Sequence, residues 1–328
     1  MGENCVSRIL FMGVGFHKYD QAIISELQKY HVVDYINLDC FHSLHPIEYR
    51  VYYRLGLNYR IKKNNEKQIY EDLNSLNSRV YDTLFVIKGA NLTKEHLSFI
   101  DCKFTFKNKI LYLWDGYANH SNIELLRRYF KEIYSFDYLD CERYCFIKRP
   151  LFYIPSQGPN SSIRNIDMSF VGQNHSDRKY WLSKFVEYCK INHLSFFFFL
   201  STGWFQILVG IISGRIRFND LKFMKTGVLS YSKYKKVTSS SKAIIDFPNN
   251  HQTGLTMRTI EALGMGTKVI TTNSYIKSHT DIPEIMYYVV DTPQDINEGV
   301  ISFISSSKVA ILPERYTING FLKELNLI

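Results

Sequence analysis

Apolar runs of strand length alternate with amphipathic stretches of helix length along most of the chain. Residues 8–16, 19–30 and 32–38 predict a strand, a helix and a second strand, the opening of a βαβ unit. A polar and aromatic helical stretch follows over about 46–77, and 83–87, 110–114 and 132–136 predict further strands. Each of these three ends in a short polar turn: Lys88-Gly89, Asp115-Gly116 and Asp137. In an open parallel sheet ligands collect beyond the carboxyl ends of the strands, so these turns lie where chemistry is expected.

The segment PSQGPNSSIRNID, residues 155–167, concentrates Pro, Gly, Ser and Asn without apolar periodicity and falls near the midpoint of the 328 residues. It reads as an interdomain linker. A second alternation follows: strand 168–171, helix 178–191, strand 194–200, helix near 231–238, strand 243–247, helix 254–263 and strand 268–271. The expected architecture is α/β, with two Rossmann-like domains over 1–154 and 168–328. The extreme C-terminal helix is a candidate to pack back on the first domain. No repeat of solenoid period and no low-complexity tract interrupts this pattern.

One stretch departs from it. Residues 194–214, LSFFFFLSTGWFQILVGIISG, carry no charge and would be long enough to span a bilayer, which takes ~20 residues. The polar break Ser201-Thr202-Gly203, Gln206 and four consecutive Phe instead predict a core strand and a short apolar helix, 204–212, lying on a membrane surface. Residues 215–242 then hold eight basic residues and one acid, Asp220. An apolar wedge beside a cationic patch holds an anionic leaflet, which makes Trp204, Phe205, Arg215 and Arg217 candidate membrane contacts. A spanning helix and an ordinary solvated basic face are the alternatives.

Charge points the same way without choosing a partner. Lys and Arg number 40 against 31 Asp and Glu, and the net +9 favours nucleic acid, acidic lipid or a phosphorylated ligand. The six cysteines are scattered, and the one close pair, Cys141 and Cys145, has neither CxxC spacing nor nearby His ligands, as reduced thiols of a cytosolic protein would. The first apolar run lacks a small-residue cleavage site and reads as a strand rather than a secretion signal. A cytoplasmic chain, peripheral on the inner face of the plasma membrane, is therefore expected.

The most informative segment is AIIDFPNNHQTGLTMRTIEALGMGTKVITTN, residues 243–273. A strand ends in a polar loop and a helix is expected to open at Gly254, aiming free backbone N–H groups at a diphosphate. Gly254 permits close approach, Thr253 and Thr256 offer hydroxyls, and Arg258 offers a fixed charge. Glu261 lies on the same helix face, where a carboxylate can accept both hydroxyls of a ribose. Pairing of Glu261 with Arg258 at i, i+3 is the competing local explanation.

The run GLTMRTIEALGMGTKVITTN resembles the donor-site signature of GT-B glycosyltransferases. SFVGQNHSDRKYWLSKF, residues 169–185, is similar to the first strand, Gly turn and helix of a GT-B donor domain, and four N-terminal segments resemble bacterial enzymes building capsular polysaccharide or lipopolysaccharide O-chains. The resemblance covers most of the chain. It implies two Rossmann-like domains facing a central cleft, no cofactor, and a donor site of Gly172, Arg178, Thr253, Gly254, Leu255, Thr256, Arg258 and Glu261, the last binding the nucleotide's ribose. Many retaining members carry a second Glu eight residues earlier, where this chain has Thr253.

Removing a proton from an acceptor hydroxyl needs a base at a strand end of the first domain, and Asp115 is the first candidate, ahead of His120 and His17. Capping a helix near Ser121 is the alternative role for Asp115, while Asp137 and Asp140 are expected to organise a turn. No metal-ligand cluster is legible, and metal independence is expected. The expected activity is hexosyl transfer from a nucleotide sugar to a glycan acceptor on a lipid carrier. A GT-B-like binding module without turnover is one alternative. A nucleic-acid binder using Tyr231, Lys233, Tyr234, Lys235 and Lys236 is another, and nucleic acid is not an expected partner.

Overall fold

The structure is a computed structural model that describes residues 7–15, 19–39, 48–49, 51–52, 55–155, 164–249 and 252–328. The chain divides into two compact units, Met1–Pro150 with Ile318–Ile328, and Leu151–Thr317. Most of the expected linker, including 156–163, lies outside the described residues, and the strand after it already begins at Ile166.

The first unit is a six-stranded parallel sheet in the order β2-β1-β3-β4-β5-β6. Its strands are β1 (Arg8–Gly13), β2 (Val32–Asn37), β3 (Val80–Ile87), β4 (Thr105–Leu113), β5 (Glu132–Ser135) and β6 (Ile147–Lys148). The helices are α1 (Tyr19–Leu27), α2 (Asn58–Ser75), α3 (Lys94–Lys103), α4 (Ile123–Tyr129) and α5 (Tyr138–Tyr144). A parallel sheet covered on both faces needs strands that are apolar throughout rather than alternating, and β1, β3 and β4 obey this over Leu10–Met12, Leu84–Ile87 and Ile110–Leu113. The C-terminal helix Ile318–Glu324 belongs to this unit, where Glu324 pairs with the buried Arg149 at 3.1 Å.

The second unit repeats the plan with a sheet ordered β12-β11-β10-β7-β8-β9, again parallel at every pairing. Its elements are β7 (Ile166–Gln173), α6 (Arg178–Ile191), β8 (Phe196–Ser201), α7 (Trp204–Ile212), β9 (Met224–Lys225), α8 (Tyr231–Ser239), β10 (Ser241–Asp246), α9 (Met257–Gly264), β11 (Lys268–Thr271), β12 (Tyr287–Val289) and α10 (Glu298–Ser305). Counted from its first strand this is the order 3-2-1-4-5-6 of dinucleotide-binding domains. β7 and β10 lie side by side while their onward connections leave in opposite directions, which opens a crevice at their carboxyl ends.

The core strand and short apolar helix expected within 194–214 are present as β8 and α7; α7 is nine residues, ~13.5 Å long, and no described helix is long and apolar enough to cross a membrane. One expectation is corrected here. The helix expected at Gly254 opens at Met257 instead, because Thr256 is its N-cap and accepts the Thr259 N–H.

Candidate functional site

The crevice between the ends of β7 and β10 is built from three buried or half-buried polar side chains. Asp246 is the last residue of β10 and is buried. Its Oδ2 accepts the hydroxyls of Thr256 (2.6 Å) and Thr259 (2.8 Å), and Oδ1 accepts Arg258 Nε (2.9 Å) and Nη2 (2.8 Å). Burial works to raise the Asp246 pKa, but the Arg258 charge and the two hydroxyls outweigh it and hold the carboxyl below its ordinary range. The carboxylate ties the start of α9 to the end of β10.

Arg258 is therefore oriented rather than free. Its remaining nitrogen, Nη1, has no hydrogen-bond partner among the described residues and lies over Gly172 of β7. A Cβ at Gly172 would stand 3.0 Å from that nitrogen and 2.8 Å from Phe170 Cζ, so only glycine leaves the guanidinium this position.

Arg178, at the start of α6, comes to the same place from the other side. Nε and Nη2 donate to the Phe247 carbonyl at 3.0 and 2.8 Å, and Nη1 to the Gln173 carbonyl at 3.1 Å. The two guanidinium groups flank one ring, 5.9 and 5.7 Å from the Phe170 centroid. Among the described residues no carboxylate bonds Arg178, and burial, followed by repulsion from Arg258, pushes its pKa down. His175, in the turn between β7 and α6, is pushed down to about 4 by burial and then by Arg178 and Arg258. Two cations and a neutral imidazole thus crowd a crevice where Asp246 is already shared, an environment that an anion would relieve.

Glu261, one turn further along α9, is buried, with Oε1 accepting the Tyr231 hydroxyl at 2.7 Å. The Tyr231 ring stacks on Tyr234, whose phenol is raised well above its ordinary value by burial and then by the Glu261 charge. Glu261 does not pair with Arg258, which removes the local explanation of the i, i+3 spacing. Thr253 and Gly254 form a turn whose carbonyls both accept Asn273 Nδ2, at 3.0 and 3.3 Å. The Leu255 side chain is buried, which leaves its backbone as the part that could meet a donor.

Of the sequence-expected donor residues, Gly172, Arg178 and Arg258 meet at one point, Thr256 is bonded to the Asp246 that organises it, and Glu261 is reached along α9. Asp246, His175, Tyr231 and Asn273 were not expected. The Asp246 signal was an acid closing a strand with Thr256, Arg258 and Thr259 gathered ten to thirteen residues on.

In the first unit Asp115 follows β4 by two residues and pairs with Lys88 at 2.6 Å, at the end of β3. It caps nothing: α4 opens at Ile123 after Asn122. His120, the second candidate base, is an interior residue. It is 2% exposed, its Nε2 meets the Asp115 carbonyl at 3.3 Å, and burial lowers its pKa. His17 lies outside the described residues. Asp137 caps α5, and Asp140 Oδ2 accepts the Tyr117 N–H at 2.6 Å. At the sheet's own reversal point, between β1 and β3, the buried Asp20 accepts the Gly15 N–H (2.6 Å) and the Tyr35 hydroxyl (2.7 Å). Among the described residues no group of three His, Cys, Asp or Glu could hold a metal ion.

Comparison with solved structures agrees with this architecture. An alpha-glucosyltransferase in complex with UDP and a 13-mer DNA containing a central A:G mismatch is 12% identical, with a TM-score of 0.57, over 91% of this chain and 89% of that one. The apo form of the lipopolysaccharide outer core galactosyltransferase WaaB is 11% identical, with a TM-score of 0.56, over 97% and 98%. A Methanocaldococcus jannaschii UDP-GlcNAc 2-epimerase in complex with UDP-GlcNAc and UDP is 10% identical, with a TM-score of 0.53, over 98% and 99%. No protein-family model and no curated protein sequence matches the chain. At these identities the likeness is one of fold, and the fold is α/β of the GT-B type.

Proposed function

We propose that the chain is a glycosyltransferase that takes a hexosyl group from a nucleotide sugar and passes it to a glycan acceptor carried on a lipid, in the synthesis of a surface polysaccharide such as capsule or O-antigen. The observation that carries this reading is Nη1 of Arg258, which has no hydrogen-bond partner among the described residues and is aimed over Gly172 beside Arg178 at the sheet's reversal point. The diphosphate is assigned to that nitrogen and to backbone N–H groups near the start of α9, and the ribose to Glu261.

In the reaction, the acceptor oxygen bonds to the anomeric carbon as the bond from that carbon to the diphosphate oxygen breaks. The acceptor proton passes to a base, for which Asp115 is the candidate, and the nucleoside diphosphate leaves with its added charge opposite the arginines. Arginine supplies that counter-charge in this reading, so turnover is expected to survive chelators. The lipid-linked acceptor belongs to this proposal. Its support is the likeness in fold to a lipopolysaccharide galactosyltransferase.

A binding module without turnover is the second reading, favoured by the internal bonds that already occupy Arg258 and Glu261. Purified protein assayed with a panel of nucleotide sugars separates the two. The enzyme binds one and transfers or hydrolyses its sugar, Glu261→Gln and Glu261→Ala lose this with the fold intact, and normal turnover in both variants would overturn the donor assignment.

A further inference from the structure

We propose that α7 and the loop after it form a docking face that lies flat on an anionic lipid bilayer. α7 is uncharged, and Gly210 is its one buried residue. Trp204 (67% exposed), Phe205 (62%) and Ile212 (78%) stand out from it, and Phe218 (82%) follows six residues later. A helix with so much apolar surface turned outward is not packed as a core helix.

The loop fixes cations beside this surface. Ile216 folds back onto α7: its N–H donates to the Gly210 carbonyl at 2.9 Å, and its side chain fills the space a Cβ at Gly210 would need. Arg215 and Arg217 flank Ile216 in sequence and are exposed with Lys222 and Lys225. None of the four forms an ion pair among the described residues. The acid in the loop, Asp220, is turned inward, where it accepts the Arg217 N–H at 3.0 Å and meets Lys179 at 3.5 Å. Lys190 adds a further cation, close enough to Lys222 for the contact to lower its pKa.

This charge pattern selects the occupant. A second copy seated face to face by a two-fold axis would bring two sets of unpaired cations together, whereas anionic headgroups neutralise the rim while the acyl boundary takes Trp204 and its neighbours. At ~13.5 Å the helix is too short to span, so the docking is in the plane of the interface. The inference stands whether or not Arg258 and Glu261 hold a nucleotide.

Sedimentation of the full chain with phosphatidylglycerol/phosphatidylcholine vesicles tests it, with pure phosphatidylcholine vesicles as the control. The chain should pellet with the mixed vesicles at low salt, stay in solution with the neutral ones, and be released by high salt. Trp204→Glu and the double change Arg215→Glu, Arg217→Glu should each lower partitioning ~tenfold or more while circular dichroism stays unchanged. A wild-type chain that ignores anionic vesicles, or variants that bind as well as it does, would overturn the proposal. A dimer that Trp204→Glu dissociates and that does not pellet with vesicles would assign the face to a second copy instead. Retention through an alkaline wash would contradict a surface mode.

Discussion

Arg258 closes on Asp246 with two nitrogens on a single carboxylate oxygen, Nε at 2.9 Å and Nη2 at 2.8 Å, which leaves Nη1 directed over Gly172. The other oxygen is filled by Thr256 and Thr259, so one buried acid fixes the N-terminus of α9 and the heading of the guanidinium at once.

Removing that acid is costly because it strands a partly buried cation and two hydroxyls. Asp246→Ala should lower the stability of the second unit by about 3–5 kcal/mol, read by urea denaturation. Asp246→Asn keeps the hydroxyl bonds and should cost less, while weakening nucleotide binding through a misdirected Arg258. Equal stability of Asp246→Ala and the wild type would show that the network holds nothing together.

Glu261 is assigned to the ribose, so the chain should prefer ribonucleoside diphosphates over their 2′-deoxy counterparts by about tenfold, as expected when a buried acceptor loses its donor. Glu261→Gln should erase most of that preference, and Tyr231→Phe, which removes a bond to the same carboxylate, should leave it in place. Calorimetric titration gives both comparisons, and a Glu261→Gln variant with unchanged preference would locate the ribose elsewhere.

His175 makes stability depend on pH. Its pKa falls from an ordinary 6.5 to about 4 in the folded chain, owing to burial and then to the two arginines. Between those values the unfolded chain binds the extra proton and the folded chain does not, so stability is full above about pH 6.5 and declines as pH drops toward about 4. His175→Gln should flatten the decline in urea midpoints over that window, and a saturating nucleotide sugar, whose charge lets His175 keep its proton, should do the same. Midpoints that fall equally in the variant would remove His175 from the explanation.

Asp115 should act on transfer alone. Asp115→Asn is expected to reduce sugar transfer by about 10²–10⁴-fold and to leave donor affinity unchanged. The pair with Lys88 is part-exposed, so the change should alter stability by no more than about 1 kcal/mol. Full transfer activity in Asp115→Asn would return Asp115 to a purely structural ion pair.

Much of this was legible in the chain. Continuous apolar runs such as those ending β1, β3 and β4 announce parallel strands, and the uncharged stretch 204–212 has the limits of α7. Other features had no local signal. β6, β9 and β12 are two or three residues long, too short for any periodicity. The displaced start of α9 followed from competition between two capping chemistries, a permissive Gly254 and the Thr256 hydroxyl, and the side chain able to accept the Thr259 N–H prevailed. Asp246 is one of several acids at strand ends, and its partners lie across a ten-residue loop. The burial of His120, likewise, depends on packing that no spacing in YANHS reveals.

Hydrogen exchange on the full chain, with and without saturating nucleoside diphosphate, decides whether the second unit's crevice takes the donor. Slowed exchange is expected in peptides covering residues 172–178 and 253–261, at the paired ends of β7 and β10 and along α9. Binding that leaves both segments unprotected, or that protects the first unit alone, would contradict it.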